Sequence, residues 1–309
     1  MGTKIEWCNA FRRYKGEVWN PVVGCTPVSE GCKNCYAERQ APRVYHAADE
    51  PFKPRFYGER LEQPMHWGKP RFVFVCSMGD LFHKDISDRS IDAVMSTIEF
   101  RKCRSHIFAV LTKRAARMRR YMERRYADDG PPENLWLGVS VENQERARER
   151  VPELVNAPAA LRFVSCEPLL ATVGLDAFDV WRRYRGEVTK AIDALDWVLC
   201  GGESGTGARP MHPQWARDLR DQCKRAGVPY FFKQWGRWAP RKVLPGGLNA
   251  VDDQSKIGVW QQPDETCCGQ EDFSRGTISI SSSQHMVEVG KAAAGRTLDG
   301  REWNQTPEV

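Results

Sequence analysis

Long apolar runs are missing from this 309-residue chain, and their absence narrows the possible classes of protein. No run approaches the roughly 20 residues that a membrane-spanning helix needs. The first ten residues lack the apolar core of a signal peptide. Internal repeats and low-complexity tracts are missing as well. We therefore expect a globular, cytoplasmic protein.

The chain also lacks a large excess of charge of either sign, because it contains 46 Lys and Arg residues and 40 Asp and Glu residues. The resulting net charge of +6 fits a polyanionic partner only weakly. Cysteine, in contrast, is plentiful, and eleven cysteines in a reducing compartment should be thiols or ligands rather than disulfides. Those in apolar stretches are predicted to be buried packing thiols: Cys76, Cys103, Cys166, Cys200 and Cys223.

Three cysteines lie close together in the stretch WNPVVGCTPVSEGCKNCYAE, in a loop rich in Gly, Pro and Ser. Cys25, Cys32 and Cys35 are odd in number, which argues against a simple disulfide framework. Three thiolates suit an iron–sulfur cluster with one iron left open. They equally suit a zinc site completed by a fourth ligand such as Cys8 or His46. Spacing alone leaves both readings open.

Apolar runs alternate with helix-like segments along the first three quarters of the chain. Such repeated units predict a parallel sheet, and seven of them favour a full or partial (β/α) barrel. We expect the barrel over residues 1–236 and an irregular extension, packed on it, over 237–309, with a hairpin near 278–289. A helical insertion is expected around Asp176 to Asp193. The predicted strands are Val18–Val23, Phe72–Ser77, Ile107–Thr112, Leu135–Val141, Leu161–Pro168, Trp197–Ser204 and Val228–Gly236.

Polar residues follow every predicted strand, at the edge where parallel α/β sheets bind ligands. We take this rim as the active site, with Glu167, Glu203 and Lys233 as catalytic candidates. A basic run, Lys113 to Arg125, begins at the same rim. The simplest interpretation is a solvated helix face, but the one-sided charge of this run also suits phosphate contacts. The nucleic-acid-binding candidates there are Lys113, Arg114, Arg117, Arg120 and Arg124.

Seven blocks, in order, resemble a family of phage and bacterial proteins related to radical S-adenosylmethionine enzymes and distantly similar to spore photoproduct lyase. They are the cysteine stretch and SMGDLFH, LTKR, LGVSVEN, FVSCEPLL, GGESGTGARP and AGVPYFFKQWG. The resemblance covers about Ile5 to Gly236. This chain departs from the usual Cys-x3-Cys-x2-Cys spacing, because six residues separate Cys25 from Cys32. Asn34 replaces the usual aromatic residue before the third cysteine.

The resemblance implies that Cys25, Cys32 and Cys35 bind a [4Fe–4S] cluster whose open iron takes S-adenosylmethionine. Reductive cleavage would yield a 5′-deoxyadenosyl radical, and the cofactors would carry the difficult chemistry. An electron donor such as flavodoxin or ferredoxin is implied, as is the host cytoplasm if the chain is phage-encoded. The implied cofactor-binding residues are Ser77, Gly79, Asp80, Ser140, Glu142 and Glu167.

The substrate expected from these features is a nucleobase in DNA, which is modified, rearranged or repaired. A base inside a duplex is out of reach, so it would have to be flipped out or single-stranded. Two alternatives remain. One is a zinc-stabilised nucleic-acid-binding protein without catalysis. The other is a barrel nuclease that uses divalent metals on Asp80, Glu142, Glu167 and Glu203.

Overall fold

The computed structural model describes residues 2–46, 49–240 and 286–308, and the backbone of three further short strand segments, 257–258, 279–280 and 284–285. Its centre is a seven-stranded sheet in which every neighbouring pair is parallel and the strand order follows the chain. The sheet curls into a half-barrel, which confirms the predicted partial (β/α) barrel. The strands are β1 (Lys15–Trp19), β2 (Arg71–Val75), β3 (Ile107–Thr112), β4 (Leu135–Ser140), β5 (Leu161–Cys166), β6 (Trp197–Gly201) and β7 (Tyr230–Gln234).

Helices connect most successive strands and cover the convex face of the sheet. The helices are α1 (Tyr36–Val44), α2 (Asp88–Glu99), α3 (Ala115–Arg125), α4 (Gln144–Val155) and α5 (Pro213–Ala226). Local signals set their ends: the Ser87 and Asn143 side chains accept backbone N–H groups at the starts of α2 and α4. Gly227 ends α5 with a φ of 70°, a conformation that glycine adopts at little cost.

The connection from β5 to β6 differs from the prediction. In place of a helical insertion it forms an antiparallel hairpin of Asp179–Arg182 and Glu187–Lys190, followed by a short 3₁₀ turn, Ile192–Ala194. Branched and aromatic residues in both arms favour strand structure, and Gly186 takes a φ of 65° at the turn. The helical prediction was therefore wrong.

The concave face of the sheet is filled by aromatic side chains from the amino halves of the strands. The N-terminal segment inserts Trp7 and Phe11 against them, and Cys8 is buried in the same cluster. The sheet contributes Phe72, Trp136, Phe163, Trp197 and Phe231 to this cluster, which we call the aromatic layer. Because this layer fills the amino end, a ligand on the concave face would have to bind near the carboxyl ends of the strands.

The segment after β7 adds small antiparallel elements. Trp238–Pro240 and Ile257–Gly258 pair with Gln284–Glu288, which also pairs with Ser279–Ile280 in the region of the predicted hairpin. Residues near the C-terminus follow the free edge of β7, where the Phe232 amide donates to the Trp303 carbonyl at 2.9 Å. This contact covers an edge that would otherwise be open to another strand. No helix in the described part of the chain is long and apolar enough to cross a membrane.

Candidate active site

The cysteine loop crosses the carboxyl edge of the half-barrel, which we call the rim. It leaves a short strand, Val22–Val23, through Gly24, whose φ is 85° and whose amide donates to the Met78 carbonyl at 2.9 Å. A side chain on Gly79 would collide with the Gly24 backbone. These two glycines therefore let the loop pass directly over the end of β2.

The three cysteines are free thiols, and each is half-buried. Cys25 follows Gly24, Cys32 ends the 3₁₀ turn Glu30–Cys32, and Cys35 precedes α1, with its amide donating to the Cys32 carbonyl at 3.2 Å. Burial raises the pKa of Cys25 to about 11, helped by Asp80 and opposed by Arg114. Burial also raises the pKa of Cys35. Thiolates on this loop would therefore need a nearby positive charge.

No three Cys, His, Asp or Glu side chains within the described residues are grouped so that they could hold one metal ion. Cys8, a possible fourth zinc ligand, lies in the aromatic layer, where burial raises its pKa strongly. His46, the other candidate, follows the end of α1. The five cysteines predicted to pack in the core are all buried, as expected.

Arg114 joins Cys25 to the end of β3. Its Nη1 donates to the Cys25 Sγ at 3.2 Å and to the Asp80 carboxylate at 2.9 Å. Thr112 holds the same carboxylate with a hydroxyl donor at 2.7 Å. Burial lowers the pKa of Arg114, but Asp80 and Cys25 more than offset this and raise it. A charged donor is thus fixed against one of the three sulfurs.

Glu142, after β4, is completely buried beneath the loop. Its carboxylate pairs with Lys113 at 2.8 Å and Arg150 at 2.9 Å, and it accepts the Ser29 hydroxyl at 2.8 Å. Burial raises the pKa of Glu142, but the two cations outweigh it, so the pKa lies below its ordinary value. Gly31 passes so close that any side chain there would strike Glu142. This carboxylate therefore anchors the centre of the loop.

Glu203, after β6, anchors the other end of the loop. Its carboxylate pairs with Arg209 at 2.7 Å and accepts the Asn34 side-chain amide at 2.9 Å. Arg209 also donates to the Glu30 carbonyl at 3.0 Å. Asn34, which replaces the aromatic residue expected before the third cysteine, thus has a structural role of its own.

Glu167 and Lys233 form a pair inside the concave face, above the aromatic layer. The Lys233 Nζ lies 3.0 Å from the Glu167 Oε1. Burial lowers the pKa of Lys233, but Glu167 and Glu6 outweigh it and the pKa is raised, so the ammonium group keeps its proton. Gly201 leaves room for this pair, because a side chain there would collide with Glu167.

The remaining predicted cofactor residues lie around the same rim. The Ser77 hydroxyl donates to Asn20 at 3.1 Å, and the Ser77 carbonyl accepts the hydroxyl of Tyr36. The Ser140 carbonyl accepts Arg150 at 2.9 Å. The structure thus places these residues at the carboxyl ends of the strands, and their functional roles stay predictions: Ser77, Gly79, Asp80, Ser140, Glu142, Glu167, Glu203 and Lys233.

The basic helix α3 is largely neutralised by carboxylates of neighbouring helices. Arg117 and Arg124 both pair with Asp88 at 2.8 Å, and Arg117 also donates to the Ile86 carbonyl at 2.6 Å. Arg120 is exposed and has no carboxylate partner among the described residues. Lys113 and Arg114 are engaged at the rim. The free positive charge of this helix is therefore much smaller than its sequence suggests, and nucleic-acid binding by it stays a prediction.

Sequence reasoning missed the residues that hold the loop: Arg150, Arg209, Asn34 and Tyr36. Arg209 lies within the stretch GGESGTGARP, one of the blocks that carry the family resemblance, and that position is the one sequence signal for a role of Arg209. Arg150 is fully buried in a helix that reads as charged and solvated. No local pattern distinguishes it from its exposed neighbours.

The chain has matches among solved structures and among protein families. The solved structure of spore photoproduct lyase complexed with dinucleoside spore photoproduct is similar at 10% identity over 87% of this chain and 67% of that chain, with a TM-score of 0.36. No curated protein matches the sequence. Residues 2–307 match the family described as protein of unknown function (DUF5131), and the chain therefore belongs to that family.

Proposed function

We propose that this protein is a radical S-adenosylmethionine enzyme that modifies, rearranges or repairs a nucleobase in DNA. The observation that carries the proposal is the loop of three free, half-buried cysteines held at the rim by residues from four strand ends. In this proposal Cys25, Cys32 and Cys35 bind three irons of a [4Fe–4S] cluster and leave the fourth for S-adenosylmethionine.

The donor set fits such a cluster. Buried thiols with raised pKa values need positive charge to become thiolates, and bound iron would supply it. Each cysteine of a cubane binds a different iron, so its sulfurs lie farther apart than those around one zinc ion. We prefer the cluster to the zinc alternative because of the partial (β/α) barrel and the resemblance of the sequence blocks to radical S-adenosylmethionine enzymes.

The surrounding residues suit roles around a redox centre. Arg114 donates to the Cys25 sulfur, and hydrogen bonds to ligand sulfurs tune the reduction potential of a cluster. Asp80 fixes Arg114 in that position. The Glu167–Lys233 pair lies above the aromatic layer, where Lys233 would hold an anionic group and Glu167 would orient a donor.

Bound S-adenosylmethionine would supply a 5′-deoxyadenosyl radical when a donor such as flavodoxin or ferredoxin provides an electron. Ser77, Gly79, Asp80, Ser140 and Glu142 would line or support its binding place. Glu203 would act through its contacts with Asn34 and Arg209, which hold the end of the loop. The aromatic layer below would exclude water from the reaction.

The nuclease alternative has less support. Its four candidate metal ligands are each paired with a cation: Asp80 with Arg114, Glu142 with Lys113 and Arg150, Glu167 with Lys233, and Glu203 with Arg209. A carboxylate already neutralised by Arg or Lys is a poor ligand for a divalent cation.

Anaerobic reconstitution with iron and sulfide tests the proposal. We expect the wild-type chain to bind iron with the visible absorption of a cluster, and after reduction to release 5′-deoxyadenosine from S-adenosylmethionine. Replacing Cys25, Cys32 or Cys35 with Ser should abolish iron binding and absorption, while the matched variant Cys103→Ser should retain both. Full iron content in Cys32→Ser, or stoichiometric zinc with no bound iron in the wild type, would refute the assignment.

A further inference from the structure

The hairpin between β5 and β6 exposes an apolar surface that the fold does not need. Trp181 is directly opposite Val188, and Tyr184 lies at the turn. Their exposed fractions are 52%, 63% and 62%, among the highest for large hydrophobic residues in the described part of the chain. Large exposed aromatic groups next to one another are characteristic of interaction sites.

The opposite face of the hairpin packs against the main core and against the end of α4. Val180 is 2% exposed and packs in the main core. Asn156, at the end of α4, binds the hairpin backbone twice: its amide donates to the Trp181 carbonyl at 2.9 Å, and its oxygen accepts the Arg183 amide at 2.8 Å. The exposed aromatic residues are thus carried on a fixed support and would lose little conformational entropy on binding.

Cations surround these aromatic residues. Arg185 is exposed and has no carboxylate partner in the ranges that the structure describes, and Arg183 is 66% exposed, with a long 3.4 Å contact to Glu123 of α3. That contact places the hairpin turn beside α3, which carries Arg120, exposed and without a carboxylate partner among the described residues. The carboxylates of the two hairpin strands already form ion pairs, because Glu187 pairs with Arg182 and Asp179 pairs with Lys190.

We propose that this surface, formed by Trp181, Arg183, Tyr184, Arg185 and Val188, binds single-stranded nucleic acid. Aromatic rings stack on bases of any sequence, and arginines between them neutralise the phosphates. A duplex hides its base faces and would leave Trp181 and Tyr184 unused. α4 begins at the rim with Gln144 and ends at Val155, just before Asn156, so the surface lies at the far end of that helix from the cysteine loop. It is a second site, and its binding does not depend on the cluster.

Fluorescence anisotropy with a fluorescein-labelled oligothymidylate of about 20 nucleotides tests this site on the full chain. Trp181→Ala and Tyr184→Ala should each raise the Kd roughly tenfold, as expected for loss of one stacked base. Arg183→Gln with Arg185→Gln should flatten the log–log salt dependence by about 0.7 for each lost phosphate contact. An oligouridylate of equal length should behave in the same way, because neither contact reads the sugar.

Phe100→Ala is the matched control, because Phe100 is a 45% exposed aromatic residue next to Arg101 outside this surface. It should leave the Kd unchanged. Cys25→Ser should bind as the wild type does, which separates this site from the proposed function. Thermal unfolding of each variant within about 2 °C of the wild type shows that the fold is intact. The proposal is overturned if the wild type does not bind, if both aromatic variants bind normally, or if polyglutamate competes as well as unlabelled oligothymidylate.

Discussion

The same strands form both halves of the concave face, but aromatic rings fill one half and ion pairs fill the other. Toward the amino ends, aromatic rings pack edge to face or at tilted angles, with ring centroids 5.3–6.4 Å apart: Trp7, Phe72, Trp136, Phe163 and Trp197. Toward the carboxyl ends, ion pairs replace rings. Apolar contact is non-directional, so the amino half supplies stability. Ion pairs at fixed distances hold a loop in one position, so the carboxyl half supplies geometry.

The difference explains why the candidate site can be strongly charged without weakening the fold. A buried charge is costly unless it is paired and hydrogen-bonded, and each rim carboxylate meets that condition. The aromatic layer closes the barrel below them. Changes in the amino half should therefore act on stability, and changes in the carboxyl half should act on the loop as well.

Removing a ring from the aromatic layer should produce the largest loss of stability. Trp197 is fully buried and contacts Trp7, Phe11, Phe163 and Phe231. Trp197→Ala should lower the free energy of unfolding by about 4 kcal/mol, through lost transfer energy and the cavity left behind. Chemical denaturation measures this. As the control, Trp181→Ala removes an exposed ring, and its free energy of unfolding should stay within about 0.5 kcal/mol of the wild type. Similar losses of stability in Trp197→Ala and Trp181→Ala would show that the aromatic layer contributes no more than the exposed surface.

Breaking the buried pair under the loop should have a smaller effect that depends on pH. Glu142→Gln removes the buried counter-ion that Lys113 and Arg150 share and should cost about 3 kcal/mol at neutral pH. The pKa of Glu142 is lowered in the fold, so its charge stabilises the fold above the ordinary value of 4.5, and this contribution disappears as the pH falls through the folded-state pKa.

The difference in unfolding free energy between wild type and Glu142→Gln should therefore be constant near neutrality and shrink in acid. Denaturation series at several pH values measure it. A difference that does not change between neutral and strongly acidic pH would show that the amide acts through packing rather than charge. Faster alkylation of Cys32 in the variant would show, in addition, that the cysteine loop has become more mobile, because Ser29 and Gly31 contact the Glu142 carboxylate.

An exposed ion pair should have the smallest effect. Arg124 is 58% exposed, and its pair with Asp88 lies in solvent. Arg124→Gln should change the free energy of unfolding by at most about 0.5 kcal/mol. If Arg124 also contacts phosphate, as the sequence predicts, the salt dependence of DNA binding should become less steep by about one unit, whereas an unchanged slope would make α3 a structural helix.

Sequence reasoning predicted the fold well for a physical reason. Continuous apolar runs such as Phe72 to Val75 mark strands buried on both faces, and caps such as Ser87 mark the starts of helices. The helical prediction for the segment 176–193 was wrong. In fact Val180 packs inward while Trp181 and Val188 face outward, which is the alternation of a strand.

The sequence by itself determined the order of the strands and the edge at which polar residues collect, because each strand–helix unit is set by nearby residues and parallel units add in chain order. Only the tertiary structure decided which charges meet. Asp80 and Arg114 are 34 residues apart, and Glu167 and Lys233 are 66 apart. Their pairing follows from how neighbouring strand ends are spaced and curved, and that spacing is a property of the packed sheet that no local pattern encodes.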